Sequence, residues 1–170
     1  GAVGIVTPHI DTAAKAAHLA RSARFGLNGR GFAGSTRWAG YATRKMPELL
    51  KKSQDETIVI AQIEEPQGVE DAGAIAAISG IDGLFIGPAD LTVGYGKTDQ
   101  NSKELKKAFL KVSKAAKTNG KTCMSFVPDA AKAKEWNSAY GLTMFFIASE
   151  HSWIRSEANS AASGIHDMKK

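Results

Sequence analysis

The chain has a single cysteine, Cys123, among 170 residues. That excludes an internal disulfide and any zinc site built on paired thiolates. Cys123 sits in an apolar run and reads as a packed thiol. No apolar stretch approaches the ~20 residues needed to cross a bilayer. The first residues, Gly1-Ala-Val-Gly-Ile-Val, lack the charged leader and cleavage pattern of a signal peptide. The expectation is a soluble, cytoplasmic protein with no membrane partner. A concentrated basic tract is missing too. Lys and Arg exceed Asp and Glu by 22 to 17, a net charge of +5, but they are spread through helix-like segments such as 103–121. This reads as a solvated helix face, not a nucleic-acid surface, and its field favours small anionic substrates.

What is present is the balance of an ordinary globular protein. With 43% apolar and 23% charged residues, the chain can bury a real core. Five apolar runs read as strands, at 2–7, 57–63, 83–86, 121–127 and 142–148, and helix-like segments alternate with them. Residues 12–23 are alanine-rich, with Asp11 or Thr12 placed as cap. A helical pattern follows through Pro47-Glu-Leu-Leu-Lys-Lys52, and another covers 70–78, closing at Gly80. Residues 102–118 form the best-marked helix, with Asn101 and Glu104 at capping-box spacing and Gly120 just past its end. Asp129 caps 130–140, and Gly141 ends that helix.

Strand–helix alternation with right-handed crossovers gives an α/β protein with a parallel sheet. A doubly wound sheet and a (β/α)₈ TIM barrel are the two architectures to weigh. The first normally shows a glycine-rich phosphate loop directly after an early strand. Gly29-Arg-Gly-Phe-Ala-Gly34 matches the letters of that fingerprint, but no strand leads into it. A whole barrel needs about 250 residues, so five strands amount to about five-eighths of one. Either the other strands belong to an N-terminal segment outside this sequence, or five strands make a smaller open sheet. The chain reads as one domain over 1–170, with 156–170 as a tail helix or a disordered tail.

Two of the apolar runs end in an acid. They are Thr57-Ile-Val-Ile-Ala-Gln-Ile-Glu64 and Ile81-Asp-Gly-Leu-Phe-Ile-Gly-Pro-Ala-Asp90. Acids where buried parallel strands open are what a barrel site looks like. Two hard oxygen donors on neighbouring strand ends suit Mg²⁺ or Mn²⁺, which keep positions free for water and substrate. Period-2 alternation puts Gln62 on the same strand face as Glu64. Gly87 permits close backbone approach, Pro88 fixes φ, and the amides that follow can face an anion. The plain alternatives are strand-end acids capping helices, a satisfied core amide at Gln62 and an ordinary tight turn at Gly87 and Ala89. Arg30 either reaches the site or holds its own loop. Tyr95 stands in a loop that can shape an entrance. Trp38, Tyr41, Trp136 and Trp153 read as packing or interface residues, and His9 and His18 as surface residues.

The segments Val59-Ile-Ala-Gln-Ile-Glu-Glu-Pro-Gln-Gly-Val-Glu70 and Ile81-Asp-Gly-Leu-Phe-Ile-Gly-Pro-Ala-Asp-Leu-Thr92 resemble the HpcH/HpaI aldolase family of metal-dependent pyruvate aldolases. Dehydrodeoxyglucarate aldolase belongs to that family and macrophomate synthase is a relative. Weaker similarity runs through Gly4-Ile-Val-Thr-Pro8, Arg30-Gly31 and Phe145-Phe-Ile-Ala148. The resemblance implies a partial TIM barrel covering about strands 4 to 8. It implies metal ligands at Glu64 and Asp90, Gln62 lining the pyruvate site, and a carboxylate held by backbone amides around Gly87, Ala89 and Asp90, with Pro88 and Asp90 among the substrate-binding residues. The implied cofactor is Mg²⁺ or Mn²⁺, acting as a Lewis acid on a small 2-oxo acid such as pyruvate or oxaloacetate. The implied reaction is reversible cleavage of a 4-hydroxy-2-oxo acid to pyruvate and an aldehyde through a pyruvate enolate. The family's base assembly and pyruvate-binding arginine are expected upstream of Gly1. Ala148-Ser-Glu-His151 departs from the family's turn after its last strand and offers His151 as a replacement base. Trimers or hexamers are implied, with C-terminal helices packing on a neighbour. The rival readings are a citrate-lyase-β-like acyl-CoA lyase and a non-catalytic truncated barrel acting in assembly.

Overall fold

The computed structural model describes residues 2–166 and residue 168. The β-branched runs form five parallel strands: β1 (Gly4–Thr7), β2 (Ile58–Ile63), β3 (Gly83–Ile86), β4 (Thr122–Val127) and β5 (Met144–Ile147). Their order in the sheet is their order in the chain. A doubly wound sheet reverses strand order at a switch point, whereas a barrel never does. The sheet is therefore a five-stranded half barrel in an α/β fold.

Each strand after β1 is reached through helices. In α1 (Ala13–Ala23) the Thr12 hydroxyl accepts from the Lys15 amide, and Ala16, Leu19, Ala20 and Ala23 face the sheet. Pro47 opens α2 (Met46–Glu56). The helical pattern expected at 70–78 starts earlier and is broken in two, α3 (Pro66–Glu70) and α4 (Ala72–Ala76). Pro66 explains the start, since its missing N–H costs nothing at a first helical position. After β3 comes a short helix that sequence patterning had not marked, α5 (Pro88–Gly94).

The helix α6 (Lys103–Thr118) buries Leu105, Ala108, Phe109, Val112 and Ala116 along one face, at helical spacing. It packs on β3 and β4 and against α4. Each fully buried large side chain there contributes about 1.5–3 kcal/mol. Its cap is Ser102, whose hydroxyl accepts from the Leu105 amide. The expected capping box on Asn101 does not form, because Asn101 donates both its amides to Asp99. Asp129 caps α7 (Ala130–Tyr140) through the Lys132 amide, and Gly141, at φ 72°, closes it. The last helix is α8 (Glu150–His166); residues 167, 169 and 170 lie outside the described residues. None of its side chains is buried on this chain.

The outer face of the sheet, with Val59, Ala61, Ile63, Leu84, Ile86 and Val127, is sealed under the helices. On the inner face Ile60, Phe85 and Met124 form a small buried cluster. Beside it Val6, Ile58, Phe126, Met144 and Phe146 remain partly exposed. Cys123 is packed as expected, and burial pushes its thiol up to about 12. Gly29–Gly34 is a surface loop, so its match to the dinucleotide fingerprint is a coincidence of letters. Among the described residues no helix is long and apolar enough to cross a membrane.

Candidate active site

The register of β2 against β3 builds the centre. Gln62 pairs with Phe85 and Ile63 with Ile86, so the next residues, Glu64 and Gly87, come to lie side by side. The Gly87 amide donates to the Ile63 carbonyl at 3.0 Å and prolongs the ladder by one step. A β-carbon added at Gly87 would stand 2.8 Å from the Glu64 β-carbon and 3.4 Å from its Oε2. Only glycine leaves room for the acid there. Pro88 then turns the chain into α5, and Asp90 falls in its first turn. Glu64 thus adjoins the turn that leads to Asp90, whose side chain is exposed.

Glu64 is only 5% exposed, yet no lysine or arginine is within ion-pair distance among the described residues. Gln62 Nε2 donates to its Oε2 at 2.5 Å, and the His9 amide donates to its Oε1 at 2.9 Å. A carboxylate has about four acceptor positions, so each oxygen retains capacity for a cation. The amides of Ala89 and Asp90, at the start of α5, have no backbone acceptor. The Gly87 amide is already taken by Ile63. Of the expected amide donors, then, Ala89 and Asp90 remain available, while Gly87 contributes space.

A cavity of about 590 Å³ opens over this turn, lined by Gln62, Phe85 and the stretch from Gly87 to Asp90. Glu64 does not line it, but Gln62, which does, donates to the Glu64 carboxylate. Among the described residues no group of three His, Cys, Asp or Glu side chains converges on one point. A two-carboxylate set is still what Mg²⁺ or Mn²⁺ uses, with water and substrate completing the coordination. A buried carboxylate without a fixed cation, next to a first-turn aspartate, fits that ion.

Other candidates fall away from the centre. Arg30 stacks over the Phe25 ring at 4.0 Å and reaches the Ser53 hydroxyl, so it holds its loop. Tyr95 caps α5 and packs on the core instead of lining the cavity, and burial raises its pKa. His151 is exposed on α8, beside Glu150 of its own helix. Trp38 packs on Phe25, while Trp136 packs on Phe109 and with it lines the far side of the cavity.

His9, read from sequence as a surface residue, is 66% exposed and stands beside Glu64. His9 follows β1 in the left-handed region, at φ 56°. Its ring Nδ1 stands 2.9 Å from Glu65 Oε1 and 3.3 Å from Glu64 Oε1. The available signal was its position, two residues past the end of the strand adjoining the one that delivers Glu64.

Known proteins resemble this chain over most of its length. A hydroxypyruvate/pyruvate aldolase of Delftia acidovorans is 33% identical over 149 residues, covering 82% of this chain and 54% of that protein. A 5-keto-4-deoxy-D-glucarate aldolase of Citrobacter koseri is 31% identical over 167 residues, covering 95% and 63%. The chain thus spans between half and two-thirds of the length of these relatives. Among solved structures, an HpcH/HpaI aldolase/citrate lyase family protein of Burkholderia cenocepacia superposes with a TM-score of 0.88 at 31% identity, over 98% of this chain and 66% of that one. Macrophomate synthase shares the fold, with a TM-score of 0.82 at 24% identity, over 99% and 60%. The family model described as HpcH/HpaI aldolase/citrate lyase matches residues 1–152, and the chain belongs to that family.

Proposed function

We propose that this chain carries the metal-binding and keto-acid-binding part of a carbon–carbon lyase. The reaction is reversible retro-aldol cleavage of a 4-hydroxy-2-oxo acid to pyruvate and an aldehyde. The observation that carries the reading is the contact of buried Glu64 with Gly87, which joins a carboxylate lacking a fixed cation to the turn bearing Asp90. Glu64 and Asp90 would hold Mg²⁺ or Mn²⁺. When bound, the ion supplies Lewis acidity to the 2-oxo oxygen.

The chain's own groups do the rest. The free amides of Ala89 and Asp90 receive the substrate carboxylate, as preorganised donors that need no rearrangement during reaction. Gln62 fixes Glu64 through its Nε2 and presents the remainder of its amide to the cavity. Pro88 sets the direction of the turn. In cleavage, the bond between C3 and C4 breaks, the 4-hydroxyl loses its proton as the aldehyde forms, and C3 regains one. No described residue at the cavity is assigned that proton transfer. This reading gives the base and a pyruvate-binding arginine to the part of the relatives that the chain does not span. The five strands then correspond to the last five of an eight-stranded barrel. Self-assembly is part of the same reading, supported by α8, which buries nothing on its own chain and exposes Trp153 and Ile154.

Calorimetric titration with Mn²⁺, with and without pyruvate, tests the proposal. Tighter Mn²⁺ binding in the presence of pyruvate, abolished by Glu64→Gln, is the expected result. Absence of both binary and ternary binding overturns it.

A further inference from the structure

We infer that His9 is a positioning residue for Glu64, holding its carboxylate from the β1 side as Gln62 holds it from β2. The inference rests on the metal reading above and adds a residue to it. Three observations meet at His9. Its backbone N–H donates to Glu64 Oε1 at 2.9 Å. Its ring Nδ1 lies 2.9 Å from Glu65 Oε1 and 3.3 Å from the same Glu64 oxygen. Its backbone occupies the left-handed region at φ 56°, a conformation that favours glycine.

Here the surroundings hold this conformation from both sides. Lys15 Nζ donates to the His9 carbonyl at 3.2 Å and to Asp11 Oδ2 at 2.6 Å, anchoring the peptide from α1. The carboxylates of Glu64 and Glu65 face the ring from β2 and its following turn. A carboxylate oxygen accepts but does not donate, so Nδ1 carries the hydrogen and gives it to Glu65. The ring is thereby locked against the rim, 3.3 Å from Glu64 Oε1. With Gln62 on Oε2 and His9 on Oε1, rotation of the Glu64 carboxylate is blocked on both oxygens, and its unused acceptor positions are fixed for a cation. Partners of this kind commonly set a ligand's metal affinity by 10–100-fold.

The test compares three substitutions in the 170-residue chain by titration with Mn²⁺ alone, followed by electron paramagnetic resonance, together with thermal unfolding of the metal-free protein. His9→Gly keeps the peptide donor, relieves the left-handed strain and removes the ring. It should weaken Mn²⁺ binding by about 10–100-fold without lowering the metal-free melting temperature. His9→Asn restores a short polar donor in a residue that tolerates this conformation, and should recover most of the affinity. Glu64→Gln should abolish binding. A His9→Gly protein that binds Mn²⁺ like the wild type overturns the inference while leaving the metal reading intact. Equal loss in the Gly and Asn variants together with a lowered metal-free melting temperature makes His9 merely structural and also overturns it. Absence of Mn²⁺ binding by the wild type overturns both readings.

Discussion

Two carboxylates stand at opposite ends of the same pair of strands, and their surroundings could hardly differ more. Asp82, at the entry to β3, accepts the Val59 amide at 2.8 Å and the Arg24 guanidinium at 3.3 Å. Arg24 is 14% exposed and donates in turn to the Thr57 carbonyl at 2.6 Å, tying α1 to the start of β2. Glu64, at the exit of β2, is far more buried, 5% exposed against 44% for Asp82, yet it meets only an amide, a peptide N–H and an imidazole. An acid matched to a fixed cation at the strand entries belongs to the stability of the fold. An acid deeper in the protein and lacking one, at the exits, is reserved for something the fold does not itself supply. In barrels the exit end carries the chemistry and the entry end the stability.

The sharpest way to break this contrast is to neutralise each acid in turn. Glu64→Gln should cost more than about 100-fold in Mn²⁺ affinity, beyond what partners of a ligand contribute, and should leave the metal-free melting temperature level or raised, since it removes a buried charge with no cation opposite it. Asp82→Asn should do the reverse. Mn²⁺ affinity stays, and denaturant unfolding shows a loss of about 1–2 kcal/mol from the weakened bonds to Val59 and Arg24. If Asp82→Asn removed metal binding, or Glu64→Gln unfolded the chain, the division between the two ends would fail.

Gly87→Ala should show both effects at once, because the added carbon meets Glu64 2.8 Å away. Overpacking of this kind costs about 1–3 kcal/mol, and the same displacement of Glu64 should weaken Mn²⁺ binding. Chemical unfolding and metal titration of one preparation check both. A loss of stability with unchanged affinity would mean that Glu64 can move without consequence for the ion.

How far the sequence revealed these two ends follows from which interactions are local. All five strands were legible, because β-branched apolar runs bounded by turns announce themselves. So were Asp129 and Gly141, whose capping acts within one helical turn. The strand order was not legible; it separated a half barrel from a doubly wound sheet only once the register was known. The acids at 64 and 90 stood out as endings of apolar runs, but the approach of Glu64 to Gly87 depends on the pairing of Ile63 with Ile86. The amide set shrank for the same reason, since Gly87 donates to a neighbouring strand. His9 was read as a surface residue, as its 66% exposure bears out, but its partners 55 and 56 residues away were not legible. Arg24 was likewise invisible as the cation of Asp82.

Local capping gives a smaller test, away from both ends. Ser102→Ala should destabilise by about 1 kcal/mol, whereas Asn101→Ala should cost less, because Asn101 only braces the Asp99 turn. Unfolding in urea distinguishes them. A larger loss from Asn101→Ala would return the cap to the position that spacing alone suggested.

The smallest effect expected concerns Asp11, which borders the site from α1. Lys15, hydrogen-bonded to it at 2.6 Å, holds its carboxyl below the usual value of 3.8. A carboxyl lowered on folding stabilises the native state above its unfolded pKa, and this contribution disappears as the pH falls through the lower, folded value. Asp11→Asn should therefore be less stable than the wild type at neutral pH, and the two unfolding curves should converge as the solution is acidified below about pH 4, the ordinary range of an aspartate. Because Lys15 also holds the His9 carbonyl, the same variant reports on the rim. If loosening Asp11 left Mn²⁺ affinity unchanged at neutral pH while stability fell, His9 would be fixed by the two glutamates alone, and the support from α1 would belong to the fold.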